Sequence, residues 1–170
     1  KGAALHESTL GIIGVGNIGK EVARKARAFG MQLLGNDVVE MPSEFVAEMQ
    51  INMMPLDELL SQADYITLNC TMSRTSYHII DAAALKSMKS SAFLINTARG
   101  GLIDEDALVE ALEMDRLAGA ALDVFEDDSA RWRAIKRGAP MFLFPLVILG
   151  GIYGGVFTPT EAAAVSVILS

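Results

Sequence analysis

The sequence is poor in the residues that build stapled or metal-centred domains. It holds one cysteine, Cys70, which excludes an internal disulfide framework and fits a reducing compartment. Its only histidines are His6 and His78, and no grouping of His, Cys, Asp and Glu has the spacing of a metal site. Basic charge is scarce where most of the chain lies: residues 1–130 carry 20 acidic and 10 basic side chains. That balance argues against nucleic acid as a partner. Residues 131–170 carry one acidic and four basic side chains, and the run from Gly138 to Thr160 has no charge at all. No secretory leader precedes the first apolar run, and the chain begins at Lys1 rather than at a methionine. A fragment of a longer protein is therefore expected. At 170 residues there is still room for one domain with a real core.

What the sequence has is a glycine-rich turn in a telling place. Leu10, Ile12 and Ile13 read as a short β-strand that feeds into Gly14-Val15-Gly16-Asn17-Ile18-Gly19. This is G-x-G-x-x-G between a strand and a helix. Gly14 suits the tight turn, Gly16 lets backbone approach a pyrophosphate, and Gly19 lets helix and strand pack closely. The helix N-terminus then directs unpaired N–H groups at the phosphates. Asn17–Phe29 is the expected helix, with Ile18, Val22, Ala26 and Phe29 as its apolar face and Gly30 at its end.

Strands and helices then alternate. Strands are expected at 31–35, 51–54, 65–68, 92–95 and 118–122, and helices at 43–49, 56–62, 82–89 and 104–114, with Asp104 as an N-cap. The pattern predicts an α/β fold of the Rossmann type, a doubly wound parallel sheet covered on both faces. Ligands in such sheets lie beyond the carboxyl ends of the strands. The glycine loop, Asp37, Asn69 and Cys70, Thr97 to Arg99, and Asp123 all fall there.

Asp37 lies 18 residues beyond Gly19, where a dinucleotide site needs an acid on the adenosine ribose. Val38 and Val39 follow it with no arginine to receive a 2′-phosphate, which favours NAD over NADP. Arg99, beside two glycines at a strand end, offers a planar fork for a carboxylate. Asp123 reads either as an acceptor for a nicotinamide carboxamide or as a strand-end turn acid, and Asp128 either as the acidic partner of a catalytic base or as part of the solvated run Glu126-Asp127-Asp128. His78 reads as structural and Cys70 as a small packing residue.

From about Leu10 to Asp127 the chain resembles the NAD-binding domain of the D-isomer-specific 2-hydroxyacid dehydrogenases. Leu10–Gly19, 28–31, 56–60, 95–104 and 117–126 carry the resemblance. It implies oxidoreductase activity on small 2-hydroxy or 2-oxo acids, a cytoplasmic setting and a homodimer. It further implies that Arg99 clamps the substrate carboxylate, Asp37 holds the adenosine ribose, and Thr97 and Asp123 orient the nicotinamide. The cofactor set so expected is Gly14, Gly16, Asn17, Ile18, Gly19, Asp37, Asn69, Cys70, Thr97, Ala98 and Asp123, with Arg99 and Asp128 catalytic. Phosphoglycerate-dehydrogenase-like members look nearest.

The departures bear on catalysis. Asp128 stands 29 residues after Arg99, where the family has a glutamate. The family's catalytic histidine has no counterpart, because no histidine follows His78. Asn69 and Thr71 replace a histidine and a proline, Ser90-Ser91 replaces Pro-Gly, and the substrate domain is missing. NAD binding with little or no turnover is the expectation.

The composition breaks after Asp128, so domains are expected at 1–128 and 129–170. Arg131, Arg133, Lys136 and Arg137 precede 23 uncharged residues, 138–160, enough at ~1.5 Å per residue to cross a bilayer core of ~30 Å. Pro145 and the pairs Gly150-Gly151 and Gly154-Gly155 favour a broken or re-entrant membrane segment. Residues 147–165, with Phe-Thr-Pro-Thr-Glu-Ala-Ala-Ala, resemble part of the large membrane subunit of tripartite ATP-independent periplasmic transporters. The expectation is a chimera of a dehydrogenase cofactor domain and a transporter fragment. A membrane-anchored NAD-binding module without catalysis is the alternative, and an organic-acid uptake component rests on the tail alone.

Overall fold

The computed structural model describes residues 5–126, within one compact unit spanning Lys1–Glu126. Asp128, the 128/129 boundary, the transporter-like stretch and the membrane contact expected at 138–160 lie outside the described residues.

Six strands make one fully parallel sheet: β1 (Thr9–Ile13), β2 (Gln32–Asn36), β3 (Ile51–Met53), β4 (Tyr65–Leu68), β5 (Phe93–Asn96) and β6 (Gly119–Leu122), in the order β3-β2-β1-β4-β5-β6. Parallel neighbours require crossovers, and helices supply most of them: α1 (Asn17–Ala28), α2 (Ser43–Met49), α3 (Leu56–Gln62), α4 (Ala82–Ser87) and α5 (Glu105–Glu113). The strands read as short apolar runs because both faces are covered. Ile12 and Leu33 join Ala23, Ala26, Phe45 and Met49 in one core, while their neighbours Ile13 and Leu34 join Leu59, Leu85, Leu94 and Leu108 in the other. Strand period two thus sends adjacent residues to opposite helical layers.

The order reverses between β1 and β4. One connection leaves β1 toward β2 and the other leaves β4 toward β5, so a crevice opens above the carboxyl ends of that pair.

β2 sits one residue later than expected and α4 ends at Ser87 rather than at 89, and two further differences bear on the site. The face of α1 that packs on the sheet is Gly19, Ala23 and Ala26, so of the expected face Ile18, Val22, Ala26 and Phe29 only Ala26 is buried. Ile18 is 66% and Phe29 61% exposed, and Val22 is half-buried. Small residues win because α1 lies directly against the backbone leaving β1, where a large side chain has no room. The fifth strand also sits one residue later than expected, which brings Asn96 into the sheet as a fully buried residue. Asp104 does cap α5, accepting from the Ala107 amide at 3.1 Å, with Glu105 and Asp106 in the first turn. Among the described residues no helix is long and apolar enough to cross a membrane.

Candidate cofactor site at the carboxyl edge of the sheet

The glycine loop is built by close backbone approach. Gly14 has φ +88°, and a Cβ there would strike the Cys70 backbone in the loop after β4. Its amide donates to the Asn36 carbonyl at 2.8 Å, and the Asn69 amide donates to the Ile13 carbonyl at 2.8 Å. The ends of β1, β2 and β4 are therefore stitched together under the loop. A Cβ on Gly19 would meet the Gly14 carbonyl, whereas one on Gly16 would meet nothing within 4 Å. Gly16 faces open space, which leaves a ligand free to approach the backbone.

The first turn of α1 holds no acidic side chain and no side-chain cap. By contrast Asp81 caps α4, accepting from Ala84 at 2.8 Å, and Asp104 caps α5. The 12-residue α1 thus brings no acid of its own to its positive end, where the glycine loop turns.

Asp37 closes the other side. Its carboxylate accepts from the Val15 amide at 2.7 Å and from the Val39 amide at 2.9 Å. A cavity of about 290 Å³ is lined by Gly14, Gly16, Asp37, Asn69 and Cys70, together with Val38, Val39 and the hydroxyl residues Thr71, Ser73, Thr75 and Ser76. Ser76 is buried and donates to the Thr71 carbonyl at 2.7 Å, so the loop after β4 is folded on itself. Burial, chiefly, pushes the Cys70 thiol above its ordinary range, in keeping with a packing role rather than a nucleophile. Asn17 and Ile18 open α1, are exposed, and do not line this cavity.

Thr97, Ala98, Arg99 and Asp123 form a second group at the ends of β5 and β6, outside that cavity. Thr97, Arg99 and Asp123 are exposed and Ala98 is half-buried. Arg99 Nη1 donates to the Ala98 carbonyl at 2.6 Å, and among the described residues the guanidinium makes no other hydrogen bond. The Asp123 amide donates to the Asn96 carbonyl at 3.0 Å, tying the two strand ends.

Sequence reasoning missed a third group. His78 Nε2 lies 3.0 Å from a Glu126 carboxylate oxygen, with the Tyr77 ring stacked on His78 at 3.9 Å. His78 and then Tyr77 hold the Glu126 carboxyl below its usual range. The Glu126 amide donates to Glu105 at 2.7 Å. A Cβ on Gly100 would strike the Phe125–Glu126 backbone, so this segment crosses directly over the turn that carries Arg99. The pair lies 48 residues apart in sequence, and no local pattern signals it.

Fold and cavity together define a dinucleotide-binding domain of the doubly wound class. The profile of the D-isomer specific 2-hydroxyacid dehydrogenase NAD binding domain matches residues 1–150, and the chain belongs to that family. The match continues beyond residue 128, across the expected composition break. A glyoxylate reductase from Thermococcus onnurineus is 43% identical over 127 residues, which are 75% of this chain and 38% of that protein. The D-3-phosphoglycerate dehydrogenase of Methanocaldococcus jannaschii is also 43% identical, over 129 residues and 24% of its length. Among solved structures, the D-lactate dehydrogenase with NAD+ from Lactobacillus jensenii superposes with TM-score 0.71 at 36% identity, covering 76% of this chain and 38% of that one. The chain thus spans well under half the length of these relatives.

Proposed function

We propose that residues 5–126 hold NAD and serve the cofactor half of a dehydrogenase acting on small 2-hydroxy or 2-oxo acids. The observation that carries this reading is the uncapped end of α1 and the Asp37 carboxylate flanking one cavity whose floor is the open backbone of Gly16. The residues fit the cofactor by charge. The positive helix end suits a pyrophosphate, and Asp37 suits ribose hydroxyls while repelling a 2′-phosphate. Asn69 and Cys70 wall the adenosine side, with Asn17 and Ile18 at the loop's rim. Thr97, Ala98 and Asp123 hold the nicotinamide end. When bound, NAD supplies hydride acceptance at its nicotinamide ring.

Arg99 is the residue for the substrate. Its exposed guanidinium pairs with the carboxylate of a 2-oxo acid and stabilises charge that grows on the adjacent oxygen. Asp128 takes the family's glutamate position but has no histidine after His78 to act on, so turnover by this chain alone is low. Glyoxylate, pyruvate and 3-phosphoglycerate are the substrates to try, from the names of the glyoxylate reductase, D-lactate dehydrogenase and D-3-phosphoglycerate dehydrogenase relatives. A reducing, cytoplasmic setting suits the unpaired Cys70.

Calorimetric titration of the full chain with NADH and NADPH tests the core of this reading. NADH should bind, and NADPH should bind at least ~10-fold more weakly, from placing a phosphate against the Asp37 carboxylate. No NADH binding, or preference for NADPH, would overturn it. Family-like rates with any of the three acids would overturn the low-turnover part.

A second reading, an NAD-binding module anchored to a membrane, is favoured by the uncharged run 138–160 alone. Recovery of the expressed chain in the soluble fraction without detergent would eliminate it.

A further inference from the structure

Asn96 is the one polar side chain described as fully buried, at 0% exposure, and it sits where β5 delivers the chain to the Arg99 turn. Both ends of its amide are used. Nδ2 donates to the Arg99 carbonyl at 2.8 Å, and Oδ1 accepts from the Ala98 amide at 3.0 Å. Its own backbone carbonyl accepts from the Asp123 amide at 3.0 Å. One residue therefore grips the turn from inside and pins the start of the loop after β6 beside it. Thr97 lies within the ring closed by the Asn96–Arg99 bond, and its side chain and that of Arg99 face outward.

We propose that Asn96 is a positioning residue for the nicotinamide and carboxylate end of the site. It acts by fixing the Thr97–Arg99 turn and locking Asp123 against it. The inference rests on the NAD reading given above. A buried amide satisfied at both ends, in surroundings of low dielectric, holds its partners in one geometry. Those partners are themselves half-buried or exposed. Water can satisfy Ala98 N–H and Arg99 C=O when the amide is removed, so the turn loosens more than the fold suffers. The Asn96 side chain makes its two hydrogen bonds to the Ala98 amide and the Arg99 carbonyl, and none to Gly14, Gly16, Asp37, Asn69 or Cys70 at the adenosine end. Asn96 should thus matter for one half of the cofactor and not the other.

ADP-ribose, which lacks the nicotinamide, separates the halves. The full chain and its Asn96→Ala and Asn96→Asp variants are titrated calorimetrically with NADH and with ADP-ribose. Leu94→Ala serves as the control, because Leu94 is an apolar core residue of the same strand with no hydrogen-bonding side chain to hold the turn. Asn96→Ala should lose ~10-fold in NADH affinity and under ~2-fold in ADP-ribose affinity, the scale of one well-placed hydrogen-bond pair. Asn96→Asp keeps an acceptor for Ala98 but sets a carboxylate oxygen against the Arg99 carbonyl, so its NADH loss should be at least as large. Being nearly isosteric, it carries the same comparison if Asn96→Ala does not fold. Leu94→Ala should move both ligands by the same factor. Equal losses of both ligands in the Asn96 variants, or unchanged NADH affinity, would overturn the inference. So would equal affinity of the parent chain for NADH and ADP-ribose, which leaves the turn nothing to hold. A parent chain that binds neither ligand instead defeats the NAD reading itself.

Discussion

The Asp37 carboxylate accepts the backbone amide of Val15 at 2.7 Å across 22 residues of chain. The acid that follows β2 therefore shapes the glycine loop and lines the cavity beside it at once.

Removing Asp37 should cost both roles. Asp37→Ala is expected to weaken NADH binding by at least ~10-fold, as for loss of hydrogen bonds to a charged group, and to speed hydrogen exchange at the Val15 amide. Asp37→Asn keeps an oxygen for Val15, so exchange should recover while affinity does not. Calorimetry beside amide exchange reads both, and full NADH affinity in Asp37→Ala would refute the assignment.

The two inner glycines should fail in different ways. An added methyl at Gly19 meets the Gly14 carbonyl, so Gly19→Ala should cost about 1–3 kcal/mol of stability, as overpacking does. At Gly16 a methyl meets nothing and φ is an ordinary −71°. Gly16→Ala should unfold within a few degrees of the parent, yet lose NADH affinity because the methyl occupies the ligand's approach. Thermal melts with and without NADH distinguish the two, and a Gly16→Ala variant with parental affinity counts against the loop as a phosphate cradle.

The Glu126 carboxyl is held below its ordinary value of 4.5, first by His78 and then by Tyr77. A depressed carboxyl contributes stability above its unfolded pKa and loses it as pH falls through the folded one. The stability gap between the parent and His78→Gln should therefore be present at pH 5–6 and narrow below about pH 4. Urea unfolding across that range checks the sign. A gap that widens on acidification would show the pair is not formed.

Asp64 works similarly at the opposite edge. It accepts from the Thr9 amide at 2.9 Å and from Lys89 at 2.8 Å, and Lys89 is the main cause of its lowered pKa. Asp64→Ala should cost about 1 kcal/mol at pH 7, given its partial exposure. The loss should shrink as pH falls below the ordinary carboxyl value of 3.8. Denaturant midpoints at pH 7 and pH 3 decide it.

Much of this was legible from residues alone. The apolar runs around Ile12, Leu34, Ile66 and Leu94 announce a buried parallel sheet, and the glycine spacing marks where its first crossover begins. The inner face of α1 was not legible, because hydropathy ranks Ile18 and Phe29 above Gly19 and Ala23 while helix–sheet contact demands the reverse. Gly14, Gly16, Asp37, Asn69 and Cys70 were expected together and share one cavity. Thr97, Ala98, Arg99 and Asp123 gather separately, a division that strand ends do not reveal. Asn96 reads as loop in the sequence because the apolar run stops at Ile95, whereas the strand continues one polar residue further. Glu126 and His78 meet only through tertiary folding.

The place of β1 in the middle of the sheet also governs how the domain is made. β1 pairs with β2 nearby and with β4 only from Tyr65 onward. Until the ribosome has delivered β4, one edge of β1 carries unsatisfied N–H and C=O groups beside Ile12 and Ile13. Such an edge recruits any extended chain it meets. A nascent chain paused after β3 is thus a seed for association, and soluble yield should rise with how promptly the fourth strand follows.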